Sequence, residues 1–171
     1  MRRSDHPIFS ATEIHGRVHA LAEAISADLS PHEIVALVVL KGAIHFGSDL
    51  LRALRVPVMV DFVQARSYRG TESRGGVTML ARPTQDLRGR RVLIIEDILD
   101  TGVTAKALLE FVHAEGAADV RFCALFDKPS RRKVPVQADY IGFTVEDVFI
   151  VGYGMDFEEK YRELPAVYVL S

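Results

Sequence analysis

One turn of the chain brings together residues that favour two kinds of ligand. The apolar residues 92–95 are followed by three carboxylates, those of Glu96, Asp97 and Asp100. Residues 100–104 then read DTGVT and precede a predicted helix, so hydroxyl groups, a glycine and a helix N-terminus could cradle a phosphate. The carboxylates would repel a bare phosphate, but they can bind ribose hydroxyl groups and Mg²⁺. The turn therefore predicts a ligand that combines phosphate, ribose and magnesium.

A second anion-binding pattern lies in LVVLKGAIHF, residues 37–46. A buried strand is predicted to end at Leu40, and a helix follows the turn formed by Lys41 and Gly42. The helix N-terminus and the lysine ammonium would both favour an anion. Turn lysines are also common on solvated surfaces, so the sequence alone leaves both interpretations open.

Two further segments carry cationic or aromatic side chains beside predicted strands. Lys128 follows the strand that contains VRFCALF and precedes a basic run at residues 131–133. Such runs are usually solvated, and we expect this of Arg131 and Lys133. Phe149 begins a short predicted strand, where packing in the core is the more frequent fate of an aromatic residue.

Alternating helices and strands would place these residues at one edge of a sheet. Ser10 and Glu13 have capping-box spacing, which predicts a helix over about residues 11–28. Residues 43–54 and 105–116 also have helical patterns, and strands are predicted at 33–40, 56–68, 77–81, 90–96, 119–126, 138–143, 148–153 and 166–170. The order predicts an α/β fold with a mainly parallel sheet and helices on both faces. In such folds, ligands bind beyond the carboxyl ends of the strands.

Length and composition are typical of one globular domain. The chain has 171 residues, of which 49% are hydrophobic and 26% charged, and its formal net charge is −2. This balance gives no bulk basic field for a nucleic acid, and the longest apolar run, residues 34–40, is too short to span a bilayer. No apolar segment typical of a secretory signal follows the charged first residues. We therefore expect a cytoplasmic protein without a nucleic-acid or membrane partner.

Two other patterns are interpreted as structural. His15 and His19 have the spacing of metal ligands on a helix, but no third ligand lies near them in the sequence. Cys123 is the only cysteine, which excludes an intramolecular disulfide and a multi-cysteine zinc site. We expect Cys123 to be a small buried side chain and not a nucleophile.

The segment VLIIEDILDTGVT resembles the phosphoribosyl-pyrophosphate signature of the type I phosphoribosyltransferases. From its first helix to its last strand, the chain is similar to the short bacterial hypoxanthine-guanine phosphoribosyltransferases. Val103 stands where some relatives carry a basic residue, but its backbone N–H can still donate to a phosphate. The resemblance implies a single domain over residues 1–171, with a small hood from about residues 1–15 and 135–171. It also implies a homodimer or homotetramer.

The resemblance further implies a Mg²⁺-dependent enzyme of purine salvage. Such an enzyme transfers the 5-phosphoribosyl group of phosphoribosyl pyrophosphate to N9 of hypoxanthine or guanine, giving IMP or GMP and pyrophosphate. Asp100 would be the general base on the purine N7 proton, and Glu96, Asp97 and Asp156 would hold the metal. The residues that would contact the substrates are Lys41, Gly42, Ser67, Tyr68, Glu96, Asp97, Asp100, Thr101, Gly102, Val103, Thr104, Lys128, Phe149, Ile150, Asp156 and Arg162.

Several of these residues take specific roles from the resemblance. Lys128 would contact the 6-oxo group of the purine, Phe149 would stack on its ring, and the Ile150 backbone would read the base edge. Arg162 would bind the pyrophosphate together with the Lys41-Gly42 pair, whose peptide bond often changes to a cis form in that family; the sequence leaves open whether it is cis here.

A lid is also implied by the resemblance. Ser67 and Tyr68 lead into residues 69–76, RGTESRGG, which are polar and rich in glycine. Such a loop would close over the site and exclude water from a reactive glycosyl cation.

Three alternatives stay open at the level of the sequence. A related enzyme could use another base, such as xanthine. A regulator with the same fold could bind RNA, although that would require a basic face. A phosphatase-like or pyrophosphokinase-like magnesium enzyme would share the phosphate cradle but would not need Lys128 and Phe149 together.

Overall fold

The computed structural model describes residues 2–67 and 77–171, apart from the Ser67 side chain. The helices are α1 (Ala11–Leu29), α2 (Ile44–Ala53) and α3 (Val103–Ala114), and Pro129–Arg131 forms a 3₁₀ turn. The strands are β1 (Ile34–Leu40), β2 (Val58–Ser67), β3 (Val77–Ala81), β4 (Arg91–Leu99), β5 (Asp119–Asp127), β6 (Tyr140–Thr144), β7 (Ile150–Val151) and β8 (Tyr168–Val169). Six of them form one sheet in the order β3-β2-β1-β4-β5-β6. Neighbours in this sheet are parallel except β2 and β3, which confirms the mainly parallel arrangement.

The helices cover both faces of the sheet, as the sequence predicts. In β1, Ala36 and Val38 pack with the apolar side chains of α1 and α2. The alternate residues Val35, Leu37 and Val39 pack with those of α3 on the opposite face. Because successive strand side chains point to opposite faces, a central strand between two layers is apolar throughout.

The first helix begins at the predicted capping box. The Ser10 side chain accepts a hydrogen bond from the Glu13 backbone N–H at 3.3 Å. Glu13 Oε2 in turn accepts from the Ser10 backbone N–H at 2.8 Å. These reciprocal bonds satisfy donors that a helix N-terminus would otherwise leave free.

The two ends of the chain meet in a small layer beside the main sheet. Strands β7 and β8 pair there, and bridges join Arg3 to Leu170 and Phe9 to Val167. β6, which lies within the range implied for the hood, pairs with β5 in the main sheet. The alternating pattern of residues 138–143 marked a strand, but it did not specify its neighbour. No helix within residues 2–67 and 77–171 has the length and apolar character needed to cross a membrane.

Candidate active site

The candidate site lies beyond the carboxyl ends of β1, β4 and β5. It consists of two adjoining cavities, with volumes of about 760 Å³ and 380 Å³. The larger is lined by the turn at residues 96–104, and the smaller by Lys128, Phe149 and Asp156. Asp97 and Asp100 line both cavities, so the predicted acids lie at their junction.

The turn between β4 and α3 is built to receive an anion on its backbone. Gly102 is the N-cap of α3 with a φ of 83° and has no side chain to cap the helix. The Thr101 hydroxyl accepts a long hydrogen bond from the Val103 N–H, at 3.4 Å. A side chain at Gly102 would overlap Arg132 and Val136, so this position requires glycine for both its conformation and its space. The turn, including Thr101 and Thr104, lines the larger cavity and presents the free donors of a helix N-terminus there.

The acids Glu96 and Asp97 are held in a desolvated position. Burial raises the pKa of both carboxyl groups, and repulsion from Asp97 raises that of Glu96 further. The Oε2 atom of Glu96 is buried and has no hydrogen-bond partner among the described residues. A buried carboxylate without a partner is costly, so the pair favours a bound cation.

The loop at Lys41 and Gly42 packs directly against these acids. A side chain at Gly42 would overlap the Asp97 carboxylate, and one at Gly154 would overlap the Gly42 carbonyl. A non-proline cis peptide bond joins Leu40 to Lys41, whereas the bond for which the sequence left a cis form open is the next one, Lys41-Gly42. The sequence contains no feature that distinguishes these two neighbouring bonds.

Asp156 and Arg162 form a second charged group above the loop. Arg162 Nη2 lies 2.9 Å from Asp156 Oδ1, and its Nη1 donates to the Gly154 carbonyl at 2.7 Å. The buried Nε of Arg162 has no hydrogen-bond partner among the described residues. Glu159 accepts a hydrogen bond from Lys41 Nζ at 3.1 Å, so Lys41 reaches this group as well.

The smaller cavity combines a buried cation with an exposed ring. Lys128 is 6% exposed, and its Nζ donates to the Val148 carbonyl at 2.5 Å. Burial lowers the pKa of Lys128. Phe149 is 45% exposed, so its interpretation as a core residue was wrong. Its ring lies edge-to-face with that of Phe157, with 5.8 Å between the ring centroids. Ile150 is buried and pairs with Val169.

Arg131 is a site residue that the sequence analysis missed. Its Nε donates to Asp100 Oδ1 at 2.7 Å, and its Nη1 donates to Asp147 Oδ1 at 2.9 Å. Both Arg131 and Lys133 are exposed, as expected, but Arg131 lines both cavities and Lys133 lines the larger one. The only sequence signal was the position of the basic run after a strand end, because the contact with Asp100 spans 31 residues.

Arg132 fixes the basic run to the sheet. Its guanidinium donates to the Leu99 carbonyl at 3.0 Å and contacts the Asp100 carbonyl and the Asp127 carboxylate. Arg132 thereby links the carboxyl end of β4 to that of β5, next to Arg131 in the chain.

The remaining sequence predictions concern the implied lid, the two histidines of α1 and Cys123. Tyr68, the side chain of Ser67 and the predicted lid at residues 69–76 lie outside the described residues. His15 and His19 contact each other at 4.4 Å between ring centroids, and no metal-binding group of three His, Cys, Asp or Glu occurs in the described part of the chain. Cys123 is fully buried, as expected, and burial raises the pKa of its thiol.

Comparison with known proteins gives a consistent family. The model of the phosphoribosyl transferase domain matches residues 9–158. A hypoxanthine-guanine phosphoribosyltransferase of Aquifex aeolicus is 41% identical over 161 residues, covering 93% of this chain and 90% of that protein. The crystal structure of a hypoxanthine-guanine phosphoribosyltransferase from Bacillus anthracis has a TM-score of 0.95 and 38% identity, covering 99% of this chain and 100% of that one. The Trypanosoma cruzi hypoxanthine phosphoribosyltransferase, in complex with the product IMP, has a TM-score of 0.92 and 35% identity, covering 98% and 95% of the two chains.

The family match covers the residues that shape both cavities. Of the candidate site residues, only Arg162 lies beyond residues 9–158. The chain therefore belongs to the phosphoribosyltransferase family and, within it, to the hypoxanthine-guanine phosphoribosyltransferases.

Proposed function

We propose that this chain transfers the 5-phosphoribosyl group of phosphoribosyl pyrophosphate to N9 of hypoxanthine or guanine, in purine salvage. The observation that carries this proposal is the junction of the two cavities. One is lined by a helix N-terminus with a glycine N-cap, the other contains a buried lysine and an exposed phenylalanine, and acids lie between them. The ribose C1′, where the bond to the base forms, would lie at that junction.

Lys128 and Phe149 would recognise the base in the smaller cavity. The buried Lys128 ammonium would donate a hydrogen bond to the 6-oxo group of hypoxanthine or guanine. The 6-amino group of adenine is itself a donor, so it could not serve as an acceptor for the ammonium beside the Val148 carbonyl. The exposed ring of Phe149 would stack on the purine, which is worth about 1–3 kcal/mol.

A Mg²⁺ ion fits the acids between the cavities. Glu96 has a buried carboxylate oxygen without a partner among the described residues, and Asp97 packs beside it. Carboxylate oxygens are the protein ligands that Mg²⁺ prefers, and substrate phosphates commonly complete its shell. Glu96, Asp97 and Asp156 would hold the ion directly or through water and through the ribose hydroxyls. When bound, it would neutralise charge on the departing pyrophosphate.

Asp100 would take the N7 proton as the glycosidic bond forms. Arg131 contacts Oδ1 of this carboxylate, and no described hydrogen bond reaches Oδ2. Oδ2 could therefore accept a proton from a base in the adjoining cavity, which Asp100 also lines. Thr101, Gly102, Val103 and Thr104 would hold the 5′-phosphate, so that binding energy remote from C1′ positions the reacting atoms.

An assay of pyrophosphate release tests the proposal directly. Phosphoribosyl pyrophosphate and Mg²⁺ are supplied with hypoxanthine, guanine, xanthine or adenine, and with no base. We expect release with hypoxanthine and guanine, and none with adenine or without a base. Absence of release with every 6-oxopurine would refute the proposal, and release without a base would favour a phosphatase-like activity.

The setting of the enzyme is proposed from the family resemblance. We expect a cytoplasmic protein that forms a homodimer or a homotetramer. Light scattering of the purified protein checks the second expectation.

A further inference from the structure

One carboxylate of the C-terminal arm, residues 156–162, contacts two cations of the candidate site. Glu159 Oε2 accepts a hydrogen bond from Lys41 Nζ at 3.1 Å and another from Arg162 Nη2 at 3.4 Å. Under the proposed function, these two cations bind pyrophosphate. The oxygen therefore lies where an anionic oxygen of that ligand would lie.

The backbone of the arm is fixed in a way that directs Glu159 to this place. Glu158 and Glu159 have φ angles of 53° and 62°, in the left-handed region that side chains rarely adopt. Asp156 Oδ2 accepts a hydrogen bond from the Glu159 backbone N–H at 2.9 Å. The Glu159 side chain itself is 66% exposed, so its carboxylate can leave the cations without unfolding the arm.

We propose that Glu159 is an internal competitor for the pyrophosphate group: its carboxylate occupies the position between Lys41 and Arg162 until a ligand displaces it. This inference rests on the proposed function, because it takes Lys41 and Arg162 as pyrophosphate ligands. Glu159 thereby lowers the affinity of this position for anions.

The energetic consequence is a uniform penalty. Only the fraction of molecules with Glu159 displaced can bind, so every apparent dissociation constant at this position rises by the same factor. Exposed ion pairs are individually weak, and two of them together correspond to about a two- to tenfold factor. The ratio of the affinities for pyrophosphate and orthophosphate stays the same, but the occupancy falls most for the anion that binds more weakly.

Arg162 is prepared to exchange partners. Its buried Nε has no hydrogen-bond partner among the described residues, so an incoming anion can gain a bond that Glu159 does not make. The Lys41 ammonium lowers the pKa of Glu159, which keeps the competitor charged at neutral pH.

The test compares two neighbouring substitutions in the full chain by calorimetric titration. Glu159→Gln removes the charge that contacts both cations. Glu158→Gln makes the same charge change one residue away, at a side chain that forms no hydrogen bond or ion pair within the described part of the chain. The ligands are inorganic pyrophosphate, with and without Mg²⁺, and orthophosphate.

We expect Glu159→Gln to lower the dissociation constants of pyrophosphate and orthophosphate by the same factor, about two- to tenfold. Glu158→Gln should change either constant by less than about twofold, since it alters only the long-range field. Equal effects of the two substitutions, or weaker binding to Glu159→Gln, would overturn the inference. The second result would mean that Glu159 positions the cations instead of competing for them.

A third variant separates this inference from the proposed function. Lys41→Ala should weaken the binding of pyrophosphate and phosphoribosyl pyrophosphate. If it leaves both affinities unchanged, the assignment of Lys41 to the pyrophosphate is wrong. If it weakens both but Glu159→Gln does not tighten pyrophosphate, the assignment stands and the competitor does not.

Discussion

The two halves of the site treat charge in opposite ways. At the turn of residues 96–104, the acids are buried together and the N-terminus of α3 has no described side-chain cap. In the arm of residues 156–162, Arg162 contacts both Asp156 and Glu159, and Glu159 contacts Lys41. The buried acids and backbone donors of the turn therefore need a ligand as their partner. Most charged groups of the arm already contact one another, so a ligand there must replace one of these contacts.

The difference follows from the elements that carry each half. The turn joins the central strand β4 to α3, so its donors and acids are positioned by the backbone of the main sheet. The arm has little regular structure. Positive φ angles occur at three of its residues, Glu158, Glu159 and Tyr161, and at Tyr153 just before it. Such a segment is held by particular contacts more than by repeating backbone bonds. The site thus combines a turn fixed by the main sheet with an arm whose side-chain contacts can be exchanged.

The largest effect that would sharpen this comparison is expected at the fixed half. Asp100→Asn should lower kcat by about 10²–10⁴-fold with little change in KM, because the amide cannot accept the N7 proton. Steady-state kinetics with hypoxanthine measure both constants. Asp147→Asn removes the other partner of Arg131 and should cost far less. A kcat for Asp100→Asn near that of the wild type would exclude Asp100 as the base.

The buried carboxyl group of Glu96 should also make the stability of the protein depend on pH. The folded chain has a Glu96 pKa above its usual value of 4.5, so it binds this proton more tightly than the unfolded chain. Without Mg²⁺, the free energy of unfolding should therefore fall as the pH rises above about 4.5 and through the raised pKa. Glu96→Gln should flatten this fall and stabilise the Mg²⁺-free protein near neutral pH by about 1–3 kcal/mol.

Urea unfolding from pH 5 to pH 8 measures this effect. Glu110→Gln, on the exposed side of α3, is the control and should change stability by less than about 0.5 kcal/mol. If Glu96→Gln keeps the pH profile of the wild type, Glu96 is not a destabilising charge in the folded protein.

A smaller and more selective effect is expected at Phe149. Phe149→Ala should weaken base binding by about 1–3 kcal/mol and leave phosphoribosyl-pyrophosphate affinity unchanged. Little stability should be lost, since the ring is 45% exposed. Phe149→Tyr preserves the ring and should bind hypoxanthine nearly as well in the same titration. Equal losses for base and phosphoribosyl pyrophosphate would place the ring elsewhere in the site.

The contrast between the halves also explains what could be predicted from the sequence. The turn is contiguous, so one stretch of residues 92–104 contains the strand, the acids, the glycine and the helix start. Hydrophobic alternation and the capping box at Ser10 likewise predicted most helices and strands. Each of these patterns involves residues close together in the chain, so it can be recognised from the sequence alone.

The parts that were missed depend on contacts between distant residues. Arg131 reaches Asp100 across 31 residues, and Lys41 reaches Glu159 across 118. A basic run or an exposed glutamate looks the same in the sequence whether its partner is water or another loop. The sequence did not specify the pairing of β6 with β5 for the same reason.

The contact between Gly42 and Gly154 gives the site a mechanical property. Neither position has room for a side chain, so the Lys41 loop and the C-terminal segment touch backbone to backbone. No flexible side chain lies between them to absorb a displacement. A shift of the loop as it takes up a ligand would therefore be transmitted to the arm at once, and the two would move as one unit.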